Sequence, residues 1–481
     1  MVPQGQRRPV PACDVTRYAR TRRRARHALC VTALLLALPL TVQGAEQVRL
    51  SPEQAHQVAR QALVQGNPQL AYDLALGLLQ RNPHDGGAHF IIARAHSQMR
   101  QPQKGRRAAR LAYRHATEKN DKFHAAQLAA KLAVEADRPG AAQFWLRRSL
   151  INLPDPAMRD RVAKDYQILR RLSPWEYRLN LSFAPSDNLN NGADSPYSLI
   201  DGVPVVGLLS GSAQALSGVA GQADLSVRYR LAHSKTHSRH IGLRYFGKRV
   251  RLSDAARDLA PNVQDSDLAF DYAEIGLNEV RKATTGSWRY GLSVGQSWSG
   301  GEKFQRSARI NLSRSLPIGA RTGLSLSTQL ERLRHEGSRP DVHGVTLSGH
   351  FSHRTEDWGD WTLNLSAKRE NSDNINADRD QLAARLSWAP DLSARPALAN
   401  MAPVFTLGAS TQRYDSYNAG LMVPGGRRDE TVFGQVEVTL KALDYGGFAP
   451  SLNLRSKRST SNVSRFDTRE TTVSLGFRST F

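Results

Sequence analysis

Few of the residues that could do chemistry are grouped for it. His350 and His353 stand three apart in a stretch that alternates polar and apolar residues, so they face opposite sides of a strand. His237 and His240 flank a turn. His89 and His96 are seven apart on a helical stretch. They read as packing or surface residues, because a metal site would need a third ligand and none is evident nearby. No G-x-S-x-G elbow, phosphate loop or H-E-x-x-H stands in the chain. Catalytic, cofactor-binding and metal-binding residues are therefore expected to be none. A Ser-His-acid set assembled across strands stays open as an alternative. Cys13 and Cys30 are the two cysteines. Both precede the expected leader cleavage, which leaves no thiol for a disulfide or a nucleophile.

One cluster of oxygens repeats. Ser186-Asp187-Asn188-Leu189-Asn190 returns as Ser372-Asp373-Asn374-Ile375-Asn376. Such side chains can hold calcium. Asx turns that end a strand explain the pattern more simply.

The elements that position these residues begin with an address. Residues 17–26 are basic, residues 28–40 form an apolar run, and TVQGA follows. This is the pattern of a secretory signal peptide over residues 1–45. No later run of 18 apolar residues exists, and mean hydropathy is −0.48, which argues against a helical inner-membrane protein. A membrane barrel fits, since its strands alternate polar and apolar positions. Net charge is +23. The first 45 residues hold eight arginines against Asp14, so the remainder carries +16 from 58 basic and 42 acidic residues. The basic residues are spread through the chain. That points to an anionic lipid or lipopolysaccharide surface and away from nucleic acid.

From Ser51 the apolar period is helical. Ala55, Val58, Ala59, Ala62 and Leu63 share a face. Ser51-Pro52 and Asn67-Pro68 read as N-caps followed by proline at the first helical position, with Gly66 as the preceding C-cap. The unit recurs at 34 residues: Pro68 matches Pro102, Ala71 matches Gly105, Ala75 matches Ala109 and Leu79 matches Tyr113. That is the tetratricopeptide period. A looser third pair is expected at 123–136 and 139–152, with a last helix at 155–172. The domain is set at 46–172. Arg106, Arg107, Arg110 and Arg114 read as a solvated convex face.

After Pro174 the period drops to two. Alternating segments fall at 175–185, 221–232, 239–251, 267–280, 287–299, 304–316, 321–333, 343–354, 361–369, 380–388, 402–413, 429–441, 447–458 and 468–481. The fold class is thus α+β multidomain: tetratricopeptide-like helical repeats, then a fourteen-stranded antiparallel transmembrane β-barrel over 173–481. Even-to-odd connections are mostly shorter than odd-to-even ones, with the proline-bearing turn at 389–401 as an exception. Trp175, Trp288, Trp298, Trp358, Trp361 and Trp388 lie near strand ends and suit interfacial girdles. Arg228, Arg230, Glu274, Asn311 and Lys368 are expected to face inward. Val473, Leu475, Phe477 and Phe481 share a face of the last strand. With an aromatic terminal residue they form the expected insertion signal, read by the barrel assembly machinery.

The junction from Trp175 through Phe183 to Asp187, Asn188 and Asn190 resembles the surface lipoprotein assembly modulators (Slam proteins) and the related type XI secretion outer-membrane proteins. Their first barrel strand runs into a similar D-N-x-N segment. The resemblance implies translocation across the outer membrane of a Gram-negative cell, with the repeats in the periplasm. The implied client is a surface lipoprotein or a secreted soluble protein, often one that handles haem or metal-bearing host proteins. The competing reading is a polysaccharide exporter, whose sugar path should be acidic and aromatic. A passive porin and an outer-membrane enzyme come after it.

Overall fold

The computed structural model describes residues 49–392 and 394–479. The expected leader, with Cys13 and Cys30, and Phe481 lie outside the described residues.

Among the described residues seven α-helices come first: α1 Pro52–Val64, α2 Pro68–Arg81, α3 Gly86–Gln98, α4 Pro102–His115, α5 Lys119–Glu135, α6 Pro139–Ile151 and α7 Arg159–Leu172. Proline opens α1, α2, α4 and α6, where its missing N–H is not needed. Ser51 and Gln54 form a reciprocal capping box on α1, and Asn67 caps α2 through the Leu70 N–H. Gly66, Arg100 and Asp137 each take a positive φ just past α1, α3 and α5. Each sits in the same reversed helix end: Asn67 N–H donates to Ala62, Gln101 to His96 and Arg138 to Ala133. The repeat is thus kept in backbone geometry even where glycine is replaced. Small residues set the helix spacing. A Cβ on Gly105 would lie 2.9 Å from a Leu132 methyl, so α4 approaches α5 there as only glycine allows. The core of Ala59, Ala75, Ala88, Ile91 and Leu132 is buried between the layers. The third pair starts four residues earlier than expected, at Lys119, and the last helix starts at Arg159 after a 3-10 turn at Pro156–Met158.

The strands follow: β1 Trp175–Ser186, β2 Tyr197–Ile200, β3 Val203–Leu208, β4 Gly218–His233, β5 His237–Leu252, β6 Phe270–Lys282, β7 Ser287–Ser299 and β8 Glu302–Pro317. Then come β9 Thr322–His335, β10 Val342–Arg354, β11 Asp360–Ser372, β12 Arg379–Ala389, β13 Met401–Tyr414, β14 Arg427–Leu440, β15 Phe448–Ser461 and β16 Thr468–Ser479. All but β2 and β3 close into one antiparallel barrel, in which β1 pairs with both β4 and β16. The fourteen expected strands are the fourteen of the barrel, with ends shifted by a few residues. Ladder partners keep one face throughout. Leu292, Ile310, Leu330 and Val345 follow one another across β7 to β10, and Leu452 faces Leu475, which faces Phe183. These side chains are exposed, as a lipid-facing surface requires.

Two loop elements were not anticipated. The long connection after β1 holds the β2–β3 hairpin, and the connection after β5 holds α8, Asp254–Leu259. Neither shows periodicity over enough residues to register in sequence. The expected four-residue connection at 300–303 is a tight turn at Gly300-Gly301, both at positive φ. Tight turns between β4 and β5, β6 and β7, β8 and β9, and β10 and β11 lie at the end of the barrel that carries the helices.

Candidate client path through the barrel and its helical collar

The helices meet the barrel at one mouth. Arg147 of α6 donates to the Gly446 and Gly447 carbonyls at 3.2 and 3.1 Å and to the Ser479 hydroxyl at 3.2 Å. Its guanidinium lies over the Tyr166 and Phe448 rings, 4.6 and 4.3 Å from their centroids. Arg159 at the start of α7 pairs with Asp444 at 2.6 Å, and the Asp444 side chain is only 2% exposed. On the other side of the seam, Arg230 of β4 donates to the carbonyls of Arg171, Leu172 and Ser173 at the end of α7. The collar is therefore held at β14–β16 and at β4, on both flanks of the place where the barrel closes.

That seam is the shortest ladder in the wall. β1 and β16 share three registered pairs among the described residues, Ser182–Gly476, Phe183–Leu475 and Ser186–Thr472, whereas β1 and β4 share twelve. The expected junction residues sit around it. Trp175 and Phe183 face outward; Trp175 packs on Tyr229 at 4.6 Å, and Phe183 covers Gly221. Where the ladder stops, side chains continue it. The Asp187 carboxylate accepts the Thr471 N–H at 3.0 Å, and Asn188 donates to the Arg469 carbonyl at 3.3 Å. Asn188 is buried and also clamps Gly192 through both ends of its amide. Asn190 donates to the Ser212 and Gln214 carbonyls and accepts the Leu216 N–H. The motif is a staple for the first long loop. Its second copy works the same way: Asn376 exchanges two hydrogen bonds with the Asn418 backbone and joins two loops. Ser186 and Ser372 make the turns, each accepting the N–H two residues on. Among the described residues no three His, Cys, Asp or Glu side chains are grouped to hold a metal.

Val473, Leu475 and Phe477 line the outward face of β16 and are exposed. Trp361, Trp388 and Phe405 stack along neighbouring strands at the collar end, with centroids 5.5 and 5.4 Å apart. Together with Trp175 and Tyr229 they make an aromatic belt at that mouth.

Inside, a chain of polar contacts crosses the wall from β6 to β13. Tyr272 donates to Glu274, which pairs with Arg309 at 2.7 Å. Arg309 reaches Glu331 at 2.6 Å, and Glu331 meets Lys368 at 3.3 Å. Lys368 pairs with Glu370 at 2.7 Å, Glu370 with Arg379 at 2.5 Å, and Arg379 donates to Gln412 and Tyr414. Two intervening strands are bridged at glycines. A Cβ at Gly295 of β7 would lie 2.7 Å from the Tyr272 hydroxyl, and one at Gly344 of β10 would meet Lys368, Glu370 and Glu331 at 3.5–3.8 Å. Three carboxylates and three cations thus offset one another. The opposite wall is more basic. Lys248, Arg455 and Lys457 face a cavity of about 510 Å³ beside β1 and β16. There Lys248 donates to the Leu189 carbonyl and Lys457 to Asn191, which draws the loop staple over the lumen.

Arg228, Glu274 and Lys368 contact inward side chains of neighbouring strands, and Arg230 and Asn311 share that face by register, as the alternation predicts. His350 bonds to Asn364 and His353 to Thr322, on opposite faces of β10. His89 and His96 are buried in the helical core; His89 bonds to the Pro83 carbonyl and His96 packs on Tyr72. Burial, with Lys104 nearby, pushes the His96 imidazole below its ordinary range, and burial beside His84 and His89 does the same to His115. On the loops, the Leu252 N–H holds the Asp265 carboxyl down and Arg332 holds down Asp341, while burial raises Asp467. Arg107, Arg110 and Arg114 are exposed on α4, and Arg106 is half-buried and bonded to Gln103. Sequence reasoning missed the collar contacts of Arg147 and Arg159, for which no local signal exists.

The family model described as surface lipoprotein assembly modifier matches residues 175–481. No curated protein matches the chain. Among solved structures, the chain is similar to OccAB2 of Acinetobacter baumannii, with 10% identity over 63% of this chain and 97% of that one and a TM-score of 0.35. OccAB3 of the same organism gives 8% identity over 63% and 98%, with a TM-score of 0.36. The chain is also similar to the type III secretion translocator chaperone SycD of Yersinia enterocolitica, at 15% identity over 26% of this chain and 86% of that one, with a TM-score of 0.22. The family match covers the whole barrel from Trp175 onward, and the chain belongs to the surface lipoprotein assembly modifier family, an outer-membrane barrel of surface lipoprotein assembly.

Proposed function

We propose that this protein moves a client polypeptide, a surface lipoprotein or a related soluble protein, from the periplasm to the cell surface. The helical collar lies in the periplasm, behind a cleaved leader, and presents the client to the barrel mouth. The observation that carries this reading is the pinning of α6 and α7 to the barrel end by Arg147, Arg159 and Arg230. A binding layer fixed at a mouth raises the local concentration of whatever it holds, without any other source of energy. The long stapled loops at the opposite end face the exterior in this orientation.

Removing residues 46–170 tests the role of the collar. The expected result is a barrel that still inserts and a client that is displayed poorly. Full display by the truncated protein would reduce the collar to a spacer. The outward row of Val473, Leu475 and Phe477, together with Phe481 of the sequence pattern, is proposed as the segment that barrel assembly machinery reads. A chain without Phe481 should show less folded, heat-modifiable barrel in the outer membrane.

A further inference from the structure

We infer that the outward face of β8 and β9, with the apolar surface below it, is a binding site for a phosphorylated glycolipid of the outer leaflet. Toward the loop end, the outward row turns from leucine and isoleucine to arginine: Arg306 in β8, and Arg332 and Arg334 in β9. All three are exposed. Arg306 and Arg334 are direct ladder partners, so two like charges stand opposite each other on the membrane face. Such a pair is destabilising unless an anion lies between its members. Arg306 is paired with Glu336 at 3.0 Å and Arg332 with Asp341 at 2.8 Å, while Arg334 has no ion pair among the described residues. The pattern repeats around the rim, where Arg413 faces Arg428 and Arg458 faces Arg469.

The second observation is the shape beneath these arginines. A groove of about 900 Å³ opens on the outward face, lined by Leu243, Ile275 and Val294 and headed by Arg306, Arg332 and Arg334. Acyl chains fit the apolar floor, and guanidinium groups suit phosphate in bidentate geometry. A phospholipid offers one phosphate. An acylated sugar with two phosphates offers an anion to more than one of the three guanidinium groups and suits their place at the loop end. Only the naming of the leaflet rests on the proposed orientation.

The test uses full-length protein in nanodiscs of zwitterionic lipid, with bisphosphorylated lipid A added as the probe and bound lipid read by native mass spectrometry. The variant R306Q/R332Q/R334Q is expected to retain roughly tenfold less lipid A than the parent, the effect of losing ~1.4 kcal/mol of charge-assisted contact. Arg314→Gln, outward-facing at the collar end, should retain it fully. A triple variant with parental heat-modifiable mobility and parental lipid A retention overturns the inference. So does displacement of lipid A by an equal concentration of phosphatidylglycerol. If the triple variant does not fold, Arg334→Gln alone is read by the same criteria. Protease accessibility of the loops on intact cells reports orientation separately, so loops found inside would defeat the proposed function without touching the lipid measurement.

Discussion

Asp187 and Thr471 stand 284 residues apart, and the Asp187 carboxylate accepts the Thr471 backbone N–H at 3.0 Å across the closing seam of the barrel. The shortest ladder of the wall is thereby extended by a side chain. Asp187→Ala should remove roughly 0.5–1.5 kcal/mol from seam closure, the usual net range for a hydrogen bond, because the carboxylate is exposed to solvent. The temperature at which the folded band is lost on semi-native gels should fall by a few degrees, and Asp187→Asn should recover part of it. An unchanged temperature would mean that the loop staple does not close the seam.

The Arg159–Asp444 contact holds the collar. The Asp444 side chain is buried and also accepts the Gly447 N–H. Arg159→Ala removes this ion pair from the carboxylate, at a cost on the order of 1–3 kcal/mol. Amide exchange in α7 should quicken while exchange in β8–β12 stays as it was. Equal exchange in α7 would show that the collar is held by other contacts.

In the lumen, Glu331 joins Arg309 to Lys368. Glu331→Gln leaves two cations facing a neutral amide. The barrel should unfold at lower temperature, and Gly295→Val should act similarly by driving Tyr272 away from its partners. Parental stability in both variants would show the polar chain to be ornamental to the fold.

His96 and His115 give the helical layer a pH dependence. Both imidazoles are held below their ordinary range, so the folded layer favours their neutral forms. Their contribution is present above about pH 6.5, the ordinary imidazole value, and is lost as pH falls further. Hydrogen exchange in α3 and α4 should slow from pH 7 to pH 5 by less than the fall in the intrinsic rate predicts, because the layer opens more often at the lower pH. A ratio that matches the intrinsic change would contradict this.

Much of the architecture was legible because membrane strands and repeat helices carry strong periodicities. The alternation around Leu292, Ile310 and Leu330 follows from one face meeting lipid, and the 34-residue return of Pro68 at Pro102 follows from repeated packing. The inward positions of Arg228, Glu274 and Lys368 came with the same phase. What stayed hidden depends on long-range pairing. Asn188 reads as a turn residue, yet its amide bonds to Arg469, and nothing near Asn188 announces that partner. Arg147 reads as one more basic helical residue, and its docking on the turn after β14 is set by tertiary packing alone. The β2–β3 hairpin escaped because four- and six-residue strands carry too little alternation to stand out.

A specific client protein is proposed to reach the cell surface through this barrel. Cells lacking the gene should be compared with parental cells by protease shaving and by analysis of periplasmic contents. The account predicts that one or two surface or secreted proteins vanish from the exterior, accumulate in the periplasm, and return when the gene is restored. An unchanged surface proteome, together with loss of capsule or matrix sugar, would contradict it and identify a polysaccharide exporter instead.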